Sequence, residues 1–236
     1  MTQKLELFFP VRPFRVFQKF GESLACTPND STPGNRLPIV GKIGGVCPPG
    51  FRELYPVLGF KGHTGQDLYA PDGAILRAPH DGIINELNTE VERGLGIGLV
   101  TKDKRDLGQY GVHFVKTRQW HLKVILVKIG QEVKCGEPIG LADSTGLSSA
   151  SHDHFEVKPI DFNNPATDPA SGHYNVFTSS YYNTFQNNGF FGSCDPAPYW
   201  NGIYSEDYKS LFQDIPAMLM KLALGIQNYL KKGRQK

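Results

Sequence analysis

Two short patterns in the chain place metal-binding side chain types at spacings that could bring them together: His63-Thr64-Gly65-Gln66-Asp67 and His152-Asp153-His154-Phe155-Glu156. Residues i and i+2 of a strand share a face. On a strand, His152 and His154 therefore set two imidazoles side by side, and Asp153 points the other way. His63 and Asp67 can meet along one strand face or through a turn that leads into a strand. His63, Asp67 and His154 together offer two imidazole nitrogens and one carboxylate oxygen. Zinc accepts that set, and three protein ligands leave the fourth tetrahedral position for water, as in a catalytic rather than a structural site. Each pattern alone is weak. An HxxxD spacing is common by chance, and an HxH pair is more often ordinary surface or core histidine. Their order, separation and flanking residues carry the weight. There is no HExxH, so the site is not of the helix-borne kind.

The elements that must position these residues are short strands. Between residues 61 and 160, β-type runs alternate with Gly and Pro at intervals of roughly 8–12 residues, the spacing of an all-β sandwich or barrel. The expected strands are Asp67–Ala70, Ala74–Ala78, Gly82–Leu87, Gly96–Thr101, Gly111–Val115, Gln119–Leu122, Pro138–Ala142 and His154–Val157. Residues 1–60 read as an N-terminal arm and loops, and residues 161–205 as an irregular Asn- and aromatic-rich segment. Its aromatics cover the sheet or line a polymer-binding groove, and covering is the preferred reading. Residues 206–236 end the chain in an amphipathic helix with a basic tail. Leu211, Phe212, Ile215, Met218, Leu219, Leu222, Ala223, Ile226 and Leu230 recur at spacings of three and four, which makes one apolar face. Pro216 is tolerated only in a first turn, so the continuous helix starts near Asp214, a good N-cap residue.

Composition narrows the function classes. The 236 residues are 39% hydrophobic, enough for a real core. The 26 Gly and 17 Pro favour turns and short strands over a helical bundle. A net charge of +2 gives no case for a nucleic-acid partner. Residues 217–236 carry a net +5 with no acid, which leaves the other 216 residues at −3. The helix and its basic end are read as docked on the domain, with contact to an anionic envelope as the alternative. No apolar stretch is long enough to span a membrane. The start, MTQKLELFFPVRPF, has too short an apolar run for a signal peptide. The four cysteines show no zinc-ribbon spacing; Cys26 and Cys47 could close a loop in an oxidising compartment, and Cys135 reads as a small core residue.

The stretch His63–Val157 resembles the lysostaphin/LytM-type zinc metalloendopeptidases, which cut peptides in bacterial cell walls. GHTGQDLYAPDGAILRAPHDGII is similar to that family's first metal motif with the turn and strand that follow. WHLKVILVKIGQEVKCGEPIGLADSTG is similar to its His-Leu element and Gly-rich run, and SHDHFEV to its closing His-x-His-Phe-Glu element. The resemblance implies the duplicated hybrid motif fold: a small antiparallel β-sheet or sandwich core crossed by a substrate groove, with long loops. It implies one Zn²⁺ per chain held by His63, Asp67 and His154, and two catalytic histidines, His121 and His152. The implied activity is hydrolysis of a stem-peptide or cross-bridge bond in peptidoglycan, and a monomer is expected. One imidazole can take a water's proton and return it to the leaving amine, and a second, protonated, can hydrogen-bond the oxyanion. Which histidine does which stays open.

Two departures bear on this. Asp153 stands where the family usually has an apolar residue; facing away from zinc, it is either exposed or orients a ligand histidine. The loop before His63 also differs, which touches substrate preference. Glu156 reads as pointing away from the metal face, into a structural hydrogen bond or ion pair. His80, His113 and His173 read as ordinary histidines, and Gly94-Leu95-Gly96-Ile97-Gly98 as a turn entering a strand rather than a phosphate loop. The place of action is the cell wall or periplasm, reached by secretion or on lysis. A bacteriophage lysin is the expected source, with a secreted bacterial hydrolase as the alternative. A non-enzymatic wall-binding or hydrolase-activating module, and a virion-associated lysin, are the competing functions.

Overall fold

The structure, a computed structural model, describes residues 2–22, 55, 60–92, 94–160 and 188–208. Twelve strands run through them: β1 (Leu7–Phe9), β2 (Val16–Gln18), β3 (Gln66–Tyr69), β4 (Ile75–Arg77), β5 (Gly82–Asn88), β6 (Leu95–Val100), β7 (Arg105–Asp106), β8 (Val112–Ile125), β9 (Glu132–Val133), β10 (Pro138–Ala142), β11 (His152–Ile160) and β12 (Trp200–Tyr204). The protein is mainly β, and its sheet is antiparallel. The main sheet runs β2-β3-β11-β8-β6-β5-β9, with β4, β7 and β10 attached beside this path. β11 and β8 lie at its centre, paired from His154↔Trp120 to Ile160↔Phe114.

The expected strands Gly111–Val115 and Gln119–Leu122 are one strand of 14 residues, β8. What separates them in sequence is Lys116-Thr117-Arg118, a polar stretch that reads as a break. These three side chains and Gln119 are buried with partners: Lys116 and Arg118 pair with Glu86 of β5, Arg118 also with Glu156 of β11, Thr117 meets His80, and Gln119 meets Asp153. The remaining strands fall within a few residues of their expected places, and β10 matches Pro138–Ala142 at both ends.

Alternation fixes the two faces of β11. Phe155 and Val157 enter the apolar core with Leu68, Leu76, Ile84, Ile97, Leu99, Val115, Leu122 and Ile139, all 2% exposed or less. His152, His154, Glu156 and Lys158 take the opposite face. Residue 65 must be glycine, since a Cβ there would lie 2.3 Å from the Phe155 carbonyl oxygen. That close approach sets the His63–Asp67 segment against β11.

The arm does more than lead into the core. Leu5, Leu7 and Val11 are part of it, β2 extends the sheet beside β3, and β1 pairs in parallel with β12. Trp200, on the far side of the chain, packs on Phe155 at a ring separation of 4.8 Å and donates to Gln66 Oε1 at 2.9 Å. Covering is thus what Tyr199 and Trp200 do. The amphipathic helix at 211–230, its basic tail, the Cys26–Cys47 pair and His173 lie outside the described residues.

Candidate metal centre

His63 sits in the turn before β3, Asp67 on β3 and His154 on β11, directly opposite one another in register. A turn feeding a strand is therefore how His63 reaches Asp67. His63 Nε2 lies 3.1 Å from Asp67 Oδ1 and 2.8 Å from His154 Nδ1, and His154 Nδ1 lies 2.9 Å from Asp67 Oδ1. Ligand atoms about 2.0–2.2 Å from a tetrahedral ion lie roughly 3.3 Å apart, so this triangle is close to a metal's needs.

The outward nitrogens say which atoms carry protons. His63 Nδ1 is 3.1 Å from the Lys19 carbonyl, which only accepts, so Nδ1–H donates and Nε2 keeps its lone pair. In the neutral His154 ring, Nε2–H donates towards Thr64 Oγ1 at 3.3 Å, so Nδ1 keeps its own. With both rings neutral, two lone pairs and a carboxylate oxygen would converge within 3.1 Å. A cation at the centre would relieve that repulsion, and the donor set suits zinc. The side chains around the site draw positive charge. Burial alone would lower His154, but hydrogen bonds to Asp67 and Glu156 outweigh it and raise the imidazole to about 9. Burial would raise Asp67, yet hydrogen bonds from His152, His154 and His63 hold it well below the usual carboxylate range.

His152 and His121 stand beside this triangle. His152 Nε2 is 3.4 Å from Asp67 Oδ1, and its ring lies 4.6 Å from that of His121. Each donates Nδ1–H to a backbone carbonyl, His152 to Ala150 at 2.8 Å and His121 to Thr145 at 2.7 Å. In the neutral rings, both Nε2 atoms are therefore acceptors. Burial, aided by the nearby His152 and His154, pushes His121 down to about 3, so it is neutral at physiological pH.

His121 reaches the site through a break in β8. Its φ of +66° is left-handed, which is costly for a residue with a Cβ. Trp120 pairs with Gly96 and Leu122 with Leu95, so His121 is an extra residue in the ladder. This bulge turns its side chain out of simple alternation, a known way to aim a functional group. Thr145 holds the bulge: its hydroxyl donates to the Leu122 carbonyl at 2.7 Å and accepts from Leu95 N–H at 3.0 Å.

Asp153 is fully buried on the core face, where Gln119 Nε2 donates to Oδ2 at 3.0 Å; it is neither exposed nor hydrogen-bonded to a ligand-type histidine. Burial raises it to about 7. Glu156 needs a correction. As residue i+2 from His154 it shares the metal face, and Oε1 lies 3.6 Å from His154 Nε2. The ion pair expected of it is present, with Arg118 Nη1 at 2.9 Å. His80 is buried away from the site between the Asp81 carbonyl and Thr117 Oγ1. Gly94-Leu95-Gly96 enters β6, and Trp120 lies across Gly96 so closely that a Cβ there would meet its ring at 2.6 Å. Sequence reading missed Thr64, Thr145, Arg118 and Phe17. Phe17 is 56% exposed and meets His152 edge-on at 5.6 Å.

Residues 61–169 match Peptidase family M23. The chain is 40% identical over 147 residues to glycyl-glycine endopeptidase ALE-1 of Staphylococcus capitis, covering 58% of this chain and 36% of that protein. It is 35% identical over 119 residues to peptidoglycan DD-endopeptidase ShyB of Vibrio cholerae, covering 47% and 25%. The chain thus spans about a third or less of the length of these curated relatives. The catalytic domain of the antimicrobial peptidase lysostaphin from Staphylococcus simulans superposes at a TM-score of 0.40 and 25% identity, covering 58% of this chain and 78% of that one. With His63, Asp67, His121, His152 and His154 all inside the matched stretch, residues 61–169 are a Peptidase M23 domain, homologous to lysostaphin and ALE-1.

Proposed function

We propose that the protein is a zinc-dependent endopeptidase that hydrolyses peptide bonds in bacterial peptidoglycan, acting in the cell wall. The observation that carries this is the triangle of His63 Nε2, Asp67 Oδ1 and His154 Nδ1, with two further imidazoles presenting Nε2 beside it. The relatives' names agree, one a glycyl-glycine endopeptidase and another a peptidoglycan DD-endopeptidase.

His63, Asp67 and His154 hold the ion. When bound, zinc supplies Lewis acidity towards the scissile carbonyl and makes water acidic near neutral pH. One of His121 and His152 takes the attacking water's proton at Nε2 and passes it to the departing amine. The other, protonated at Nε2, donates to the oxyanion of the tetrahedral intermediate. The Thr145 and Ala150 carbonyls hold the proton on Nδ1 of both rings, which leaves Nε2 free to take a proton in one and to donate from the imidazolium in the other. The exposed Phe17, edge-on to His152, the exposed Tyr69, paired with His152, and the half-buried Trp120, paired with His154, give an extended peptide its apolar contacts.

The test is mass spectrometry of muropeptides released from defined cell walls, some with Gly-rich bridges and some with directly cross-linked stems. New amino termini in either set support the reading and name the bond. Intact muropeptides from every wall, with zinc bound, contradict it.

A further inference from the structure

Behind His154 lies a file of polar groups that the hydrolytic reading leaves unused. Thr64 Oγ1 is 3.3 Å from His154 Nε2 and 2.9 Å from Glu156 Oε1. Glu156 Oε2 in turn meets Arg118 Nη1 at 2.9 Å and Lys158 Nζ at 3.7 Å. Arg118 Nη2 is held by Glu86 Oε1 at 2.9 Å. Glu86, Arg118, Glu156 and Lys158 are each 4% exposed or less.

The direction of each bond follows from what each group can do. A hydroxyl has one proton and can donate or accept. A carboxylate between two cations only accepts. Thr64 therefore gives its proton to Glu156, and its oxygen is left to accept from His154. Only Nε2–H can supply that bond, so in the neutral, metal-binding ring Nδ1 is the nitrogen that carries the lone pair. His63 needs no such device, because the Lys19 carbonyl beside its Nδ1 cannot donate.

We propose that Thr64 and Glu156 form a tautomer lock on His154: the hydroxyl, oriented by the carboxylate, holds the proton on Nε2 and directs Nδ1 at the metal. Both are positioning residues, and Arg118 and Glu86 keep the carboxylate in place. The inference rests on the zinc reading above. Outer partners of metal-bound histidines are worth about 10–100-fold in metal affinity.

Thr64→Val keeps the shape of the side chain and removes the hydroxyl; Thr64→Ser restores it. Zinc affinity is read by competition with a chromophoric chelator, and the melting temperature of the metal-free chain reports folding. Expected are a 10–100-fold weaker Kd for T64V at a near-normal melting temperature, and recovery to within about threefold in T64S. E156Q, which introduces a donor facing Thr64, weakens zinc by a similar factor. Nitrogen-15 correlation spectra of the zinc-loaded wild type show the His154 proton on Nε2 in slow exchange, and T64V loses that slow exchange. T64V binding zinc like wild type, or T64S as weak as T64V, overturns the lock and leaves the zinc reading standing. Wild type that takes up no zinc overturns both.

Discussion

One face of β8 and β11 carries two buried clusters of charged and polar groups, and they are built on opposite principles. At one end Glu86, Lys116, Arg118, Glu156 and Lys158 pair with one another, with Arg118 bridging both carboxylates at 2.9 Å and Lys116 3.3 Å from Glu86. At the other end His63, His152 and His154 crowd the Asp67 carboxylate, and among the described residues no Lys or Arg pairs with it. Burying an ion is costly unless it is paired and hydrogen-bonded. The first cluster meets that cost within the protein and serves as architecture. The second meets it with imidazoles, whose nitrogens a metal ion could also take, and this contrast is what marks a candidate site.

The comparison breaks first at the ligands. His63→Ala, Asp67→Ala and His154→Ala should each leave zinc far below one per chain and reduce wall hydrolysis to background, since three ligands leave none to spare. Full zinc content in any of them, read by elemental analysis of the purified protein, removes that residue from the set. His121→Ala and His152→Ala should keep zinc while the rate falls by roughly 10²–10⁴, the range of a lost acid–base or oxyanion group. Zinc loss in either would swap ligand and catalytic roles.

Arg118→Met tests the balanced end. It leaves Glu86 and Glu156 buried without their shared cation, and urea unfolding should show a loss of about 3–5 kcal/mol. Saturating zinc should still load to one per chain. Unchanged stability would mean that the paired cluster is not structural. A histidine remote from both clusters gives the smallest effect. Burial drives His80 down to about 4 from an ordinary value of 6.5. Between these values the unfolded chain takes a proton that folded His80 refuses, so stability should fall as pH drops from 6.5 towards 4. The loss is at most about 3 kcal/mol, and His80→Asn should flatten that part of the pH–stability curve.

Much of this was legible in the sequence, for identifiable reasons. The strands around β4, β5, β6 and β10 are apolar runs punctuated by Gly and Pro, and they lie where that pattern puts them. The ligand-type residues were found because HTGQD and HDH are compact motifs. β8 was read as two strands because a buried polar stretch looks like a loop when its partners are distant in sequence. His121 could be named only through family resemblance. Simple alternation would have turned it into the core, and the bulge that re-aims it depends on Thr145, 24 residues away. Glu156 shares the face of His154 by i+2 alternation, a placement the motif alone already carries. Thr64 lay inside the first motif with no local signal of its bond to β11, a contact that exists only once the sheet forms.

Zinc titration of the metal-free protein, followed in parallel by metal content and by wall hydrolysis, tests the central claim most directly. The account predicts that hydrolysis is lost on chelation, returns in proportion to added zinc, and reaches its plateau at one equivalent per chain. Hydrolysis that persists with the metal fully removed, or that fails to return when one zinc is bound, would contradict it.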